Sequence, residues 1–207
     1  MNTQEKIKQW EQDAAPALFQ GLGLPEDAKI LDYGCGFGHY TFAAARALGG
    51  KGEVYAVDIN KWCLTHISRK AKDEGLTNII MQTGNRDYSL KFDDGFFDMI
   101  LYYDLFHGSG QHRFILLEEA ARTLKAGGIL SVLPFHLSNF RDKRGMKKIY
   151  TYPKVIAEIE ASGFVRAEGI HREGVHFDKV HSLHYMSQGS IEFEELERAE
   201  ILTFRKE

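Results

Sequence analysis

The chain reads as an α/β protein built on a mostly parallel sheet, and three observations lead there. Short apolar runs at 28–33, 52–58, 77–82, 96–103 and 128–134 alternate with helix-like segments at 40–48, 61–74 and 112–125. Such alternation is the signature of a parallel sheet covered by helices on both faces. The apolar runs lack strict period two, as expected of strands buried on both sides. Lastly, the first run ends in Asp32-Tyr33-Gly34-Cys35-Gly36-Phe37-Gly38, an acid followed by three alternate glycines. This describes a strand feeding a tight turn with little side chain, in which a ligand can approach the main chain.

Taken in order, residues 3–20 predict one N-terminal helix, followed by the linker-like Gly21-Leu22-Gly23-Leu24-Pro25. The first strand then delivers Asp32 and the glycine turn, and the alanine-rich segment after His39 predicts a helix whose N-terminus faces a ligand. The second strand, Val54-Tyr55-Ala56-Val57-Asp58, places a carboxylate 20 residues after Gly38. There it can accept two hydrogen bonds from a ribose diol. A dinucleotide fingerprint requires a third glycine where this chain has His39, so the pyrophosphate site is spoiled.

Gly34, Gly36 and Gly38 after Asp32 resemble motif I of class I S-adenosylmethionine-dependent methyltransferases. The resemblance continues through about 28–135: Gly84-Asn85-Arg86-Asp87 after the third strand, Phe92 to Ile100 as the turn into the fourth, then Leu117–Leu124 and the Lys125-Ala126-Gly127-Gly128 turn into the fifth. It implies a Rossmann-like three-layer sandwich with a seven-stranded, mostly parallel sheet closed by an antiparallel strand near 201–206. By domain, it implies an N-terminal helical lid over 1–25 and a single methyltransferase domain over 26–207, with a substrate-region insertion around 136–152.

The same resemblance implies S-adenosyl-L-methionine as cofactor. It would be bound by Asp32 and the Gly34, Cys35, Gly36 and Gly38 loop at the methionyl end, by Asp58 at the ribose, and by Ile59, Asn85 and Arg86 around the adenine. Tyr102 or Tyr103 would cover the sulfonium, whose charge an aromatic face attracts. Each residue also has a plainer reading. Asp58 can cap the next helix, Asp32 and Asn85 can be turn residues, and the two tyrosines can be core aromatics.

Methyl transfer asks mainly that the nucleophile be held in line and water kept out. Where a base assists, Asp104 and His107 after the fourth strand and His136 after the fifth are the candidates, each with a solvated-loop alternative. The segment Tyr103-Asp104-Leu105-Phe106 is not the Asn/Asp-Pro-Pro-Tyr/Phe signature of base-methylating relatives, which points to a small-molecule acceptor. Two rival readings stand beside this one: a non-catalytic protein that binds S-adenosylmethionine or its homocysteine product, and a nicotinamide-linked oxidoreductase.

Composition bounds the rest. With 207 residues, 43% of them hydrophobic, the chain can fill one substantial core. A net charge of −3 with interspersed signs gives no general field for nucleic acid, though Arg141 to Lys148 carry a local excess of about +4 that suits an anionic substrate or a solvated face. Cys35 and Cys63 form neither a disulfide framework nor a metal spacing. Without an apolar run of about 18 residues the chain is expected in the cytoplasm, off the membrane, acting on a small molecule, with a homodimer compatible. His171, His176, His181 and His184 around Asp178 fit either a late strand and loop lining the substrate or a divalent metal with N/O preference, and no metal site is assigned.

Overall fold

The computed structural model describes residues 3–106, 112–135, 137, 142, 144, 146, 147, 149–177 and 198–207. Its strands are β1 (Lys29–Tyr33), β2 (Glu53–Asp58), β3 (Ile79–Thr83), β4 (Phe97–Tyr103), β5 (Leu124–Leu133), β6 (Phe164–Arg166), β7 (Arg172–Val175) and β8 (Arg198–Lys206). Five helices accompany them: α1 (Thr3–Gln12), α2 (His39–Ala47), α3 (Lys61–Asp73), α4 (His112–Thr123) and α5 (Tyr152–Glu160).

The sheet order is β3-β2-β1-β4-β5-β8-β6, with β7 paired to β8 off that path. The pairs from β3 to β5 are parallel, and β8 runs antiparallel to β5, β6 and β7. This is the expected three-layer architecture, with eight strands among the described residues where seven were anticipated; Arg172–Val175 forms a short strand on β8. The anticipated single helix over 3–20 is interrupted. Helix α1 stops at Gln12, and Ala15–Phe19 forms a separate 3-10 turn with Pro16 near its start. Proline has no N–H to donate into a preceding turn and disfavours helical backbone in the residue before it.

Local signals set the other boundaries. The Asn60 side chain accepts from the Trp62 N–H at 3.0 Å and caps α3. Pro153 occupies the first turn of α5, where its missing donor costs nothing.

Strand side chains alternate between two buried layers. Ile30, Met99, Leu101 and Leu133 pack with Phe42 of α2 and Ile67 of α3. Leu31, Ile100, Tyr102 and Val132 pack with Leu116 of α4 and Val155 of α5. The strand order reverses between β1 and β4, each of which starts a crossover in the opposite direction. Ligands in open α/β sheets lie at the carboxyl ends of strands at such a point.

Candidate active site

The glycine turn after β1 is held by the neighbouring strand. The Gly34 and Cys35 N–H groups donate to the Val57 carbonyl at 2.7 and 3.1 Å, and the Asp58 carboxylate accepts from the Gly36 N–H at 2.9 Å. All three glycines have positive φ, 73°, 51° and 81°. Their surroundings differ. A Cβ at Gly34 would meet Leu105 at 2.6 Å and one at Gly38 would meet Ile67 at 2.8 Å, whereas Gly36 has no heavy atom within 4 Å of that position. Gly34 and Gly38 therefore serve packing. Gly36 offers bare backbone to open space.

Around this turn lies a cleft of about 220 Å³. Its floor is Asp32 and the loop, one side is His39 and Tyr40 at the start of α2, and the far wall comes from the ends of β4, β5 and β7, with Tyr103, Asp104, Phe135, His176 and Phe177. The Tyr40 and Tyr103 rings meet edge to face at 4.5 Å, and His39 stacks on Phe177 at 4.0 Å. Tyr40 is fixed by two bonds to Val175, its hydroxyl donating to the carbonyl at 2.8 Å and accepting from the N–H at 2.7 Å. The Tyr103 hydroxyl pairs with Ser131. Burial pushes both phenols above their ordinary value, so they present neutral rings.

Asp32 is buried, and its carboxylate accepts from the Thr41 hydroxyl at 2.6 Å. Desolvation is the main cause that raises its pKa to about 7; the Thr41 hydrogen bond opposes this, and the negative charge of Asp58 adds to it. Burial of this kind favours the neutral acid, and a cation placed beside it would favour the carboxylate. Asp58 is already bonded through both oxygens, to Gly36 and to the Asn60 N–H at 2.8 Å, and a carboxylate retains lone pairs for further donors. Burial, with Asp32 and Asp58 nearby, pushes the Cys35 thiol up, which keeps it a neutral lining group.

Of the residues read from sequence, Asp32, Gly34, Cys35, Gly36, Tyr103 and Asp104 line one cleft, and Asp58 is bonded to its loop. Others fall elsewhere. Tyr102 points into the opposite layer, buried, with its hydroxyl donating to the Leu116 carbonyl at 2.9 Å, because adjacent strand residues face opposite sides of the sheet. It cannot cover a sulfonium in the cleft. Asn85 is folded onto its own turn, its amide donating to the Ser89 carbonyl and hydroxyl at 3.2 and 3.1 Å, while Arg86 and Ile59 are exposed. His107, His136, His181, His184 and Asp178 lie outside the described residues. Among the described residues no three His, Cys, Asp or Glu side chains gather as a metal site, and no helix is long and apolar enough to cross a membrane.

Sequence reasoning missed the roles of His39, Phe135 and Phe177, and it left His176 open between lining the substrate and holding a metal. His39 had registered only as a missing glycine, yet its Nδ1 pairs with Glu11, whose buried carboxylate also receives Lys70. Burial alone would raise the Glu11 pKa, but the hydrogen bonds and charges of His39 and Lys70 outweigh it and hold it below the ordinary value. Trp10 of α1 packs on Tyr40 and Phe177, with ring centres 5.5 and 5.2 Å away. Phe135, His176 and Phe177 belong to strand ends that come together only through the pairing of β5 and β7 with β8. The one available signal was the alternation of Val175 and Phe177 around His176.

These features have counterparts among known proteins. The open Gly36 backbone, the buried acid below it and the carboxylate ending β2 all lie within residues 30–128, which match the family described as a methyltransferase domain. Over that stretch the chain resembles this family. A demethylmenaquinone methyltransferase of Bacillus subtilis is 33% identical over 111 residues, which are 52% of this chain and 45% of that protein. A ubiquinone/menaquinone biosynthesis C-methyltransferase of Chromobacterium violaceum is 32% identical over 155 residues, 72% of this chain and 62% of that protein. The chain thus spans about half the length of the curated relatives it matches. In fold it is similar to the crystal structure of an S-adenosylmethionine-dependent methyltransferase from Aquifex aeolicus, with a TM-score of 0.64, 21% identity, and 96% and 97% of the two chains covered.

Proposed function

We propose that this protein transfers the methyl group of S-adenosylmethionine to a small, flat, largely apolar acceptor. The observation that carries this reading is one cleft in which a bare glycine backbone and a buried acid face an aromatic wall built from the ends of β4, β5 and β7. The names of the relatives make hydroquinones the first acceptors to test.

Bound here, S-adenosylmethionine supplies an electrophilic methyl group on a sulfonium that leaves readily as a thioether. The chain's own task is then to bind, orient and exclude water. Asp32, once ionised, receives the methionyl ammonium, and the Gly34 to Gly38 backbone borders the methionyl and ribose portions. Asp58 accepts the ribose hydroxyls, and Ile59, Asn85 and Arg86 flank the adenine, the Asn85 amide exchanging its Ser89 partners for the base. The ring of Tyr103, with Tyr40 against it, gives the cation an aromatic face. Residues 1–25 act as the lid, with Ile7, Trp10 and Glu11 among their contacts with the cleft wall.

Calorimetric titration with S-adenosylmethionine, S-adenosylhomocysteine and a nicotinamide dinucleotide tests the cofactor. One-to-one binding of the first two is expected, and binding of the dinucleotide alone would refute the reading. Transfer of label from methyl-labelled S-adenosylmethionine to reduced 1,4-naphthoquinone then tests the acceptor.

A further inference from the structure

The far wall of the cleft contains a carboxylate and an imidazole that cofactor binding does not use. Asp104 follows β4 and His176 follows β7, 72 residues apart in sequence, and the Asp104 carboxylate lies 3.0 Å from His176 Nε2. An ionised carboxylate only accepts, so Nε2 carries the hydrogen in this contact. The imidazole is packed flat against Phe135, with centroids 4.3 Å apart at 28°, and its side chain is 6% exposed. Asp104 is more open, at 17%. Its backbone is held in the left-handed region, φ 52°, with its N–H donating to the Leu133 carbonyl at 2.8 Å. Such a conformation is strained for a non-glycine residue and persists where the surroundings impose it.

We infer that Asp104 accepts the hydrogen of an aromatic hydroxyl group on the acceptor, and that His176 is the positioning residue that holds the Asp104 carboxylate toward it; this deepens, and rests on, the methyltransferase reading above. Three observations carry the assignment. Asp104 is the more exposed of the two and lines the same cleft as Tyr103 and the glycine loop. The faces beside it, Tyr103 and Phe135, suit a planar ring. The imidazole behind it is clamped by stacking and so fixes the carboxylate's direction, as supporting hydrogen bonds do for catalytic groups generally. In the step itself the acceptor's O–H bond breaks, the proton passes to a carboxylate oxygen of Asp104, and the electron pair stays on the acceptor oxygen, conjugated into its ring. The proton then leaves Asp104 for solvent.

The test uses 4-nitrophenol with the cofactor-free protein, at a pH where half of the free probe is ionised. Bound against a carboxylate acceptor, the probe is held as the neutral phenol, so its phenolate band should shrink on binding. Asp104→Asn replaces half of the acceptor with a donor and should reverse the change, with the phenolate retained. His176→Phe keeps the stack on Phe135 and loses the donor, and should weaken the preference for the neutral probe several-fold; His176→Gln restores a donor and should recover most of it. With reduced naphthoquinone as acceptor, Asp104→Asn should lower kcat about 10²- to 10⁴-fold with KM little changed. An unchanged difference spectrum in Asp104→Asn, equal behaviour of the Phe and Gln variants, or no binding of 4-nitrophenol to the parent would overturn the assignment. If S-adenosylmethionine fails to bind while the spectral signature holds, the cofactor reading fails and the pair is left as a phenol-binding site without a methyl-transfer role.

Discussion

The two halves of the cleft are built in different ways. The half formed by β1, the glycine turn and β2 is local: residues 29–58 supply strand, loop, helix and the next strand, and its bonds are backbone to backbone, carboxylate to backbone or, from Thr41 to Asp32, side chain to side chain across nine residues. The half formed by the ends of β4, β5 and β7 with α1 is assembled over long separations. Tyr40 bonds Val175, 135 residues away, Asp104 meets His176 across 72, and Glu11 reaches His39 across 28 and Lys70 across 59. The first half can be written into one continuous stretch, while the second depends on which strand ends the sheet brings together.

That contrast can be broken or sharpened by substitution. The largest effect is expected at the long-range seam. Glu11→Ala leaves Lys70 and His39 facing a void where a buried carboxylate had been, which should cost about 3–5 kcal/mol of stability in denaturant unfolding. A loss below about 1 kcal/mol would mean that α1 is only loosely seated. On the local half, Asp58→Ala should lower S-adenosylmethionine affinity by about 1.5–3 kcal/mol, read by calorimetry, with no comparable change in acceptor KM.

Asp32 gives a pH dependence of defined sign. Its folded pKa of about 7 lies above the ordinary 3.8, so the proton is bound more tightly in the folded protein. The stability contributed by the protonated form is complete below pH 3.8 and is lost as pH rises toward about 7. A cationic ligand needs the ionised form. Its affinity should therefore fall about tenfold per pH unit below that point, with one proton released on binding, and Asp32→Asn should flatten the profile. The smallest effect belongs to Tyr102→Phe, which removes a buried bond to Leu116 and should cost about 1 kcal/mol of stability while leaving cofactor affinity unchanged. A large loss of affinity there would place Tyr102 in the site after all.

What was legible in the sequence follows the same division. Strand and helix periodicity, the glycine turn, Asp32 and Asp58 are contiguous signals, and the five strands they mark follow one another along the chain as expected. Tyr102 and Tyr103 could not be told apart, since a strand buried on both faces carries no polar alternation to say which residue looks toward which layer. Pro16 lies inside the helix expected over 3–20 and was readable there as a helix breaker. His39 was judged against a dinucleotide fingerprint, and its bond to Glu11 depends on the packing of α1 against α2.

The sequence by itself determined a parallel α/β core and the ligand-facing turn after its first strand, because both arise from backbone preferences and burial within short windows. Only the tertiary structure decided which aromatic rings face the cleft, which histidine stands behind Asp104 and where α1 lies. Those relations depend on strands β5, β7 and β8 meeting side by side, and no local propensity encodes the register in which they meet.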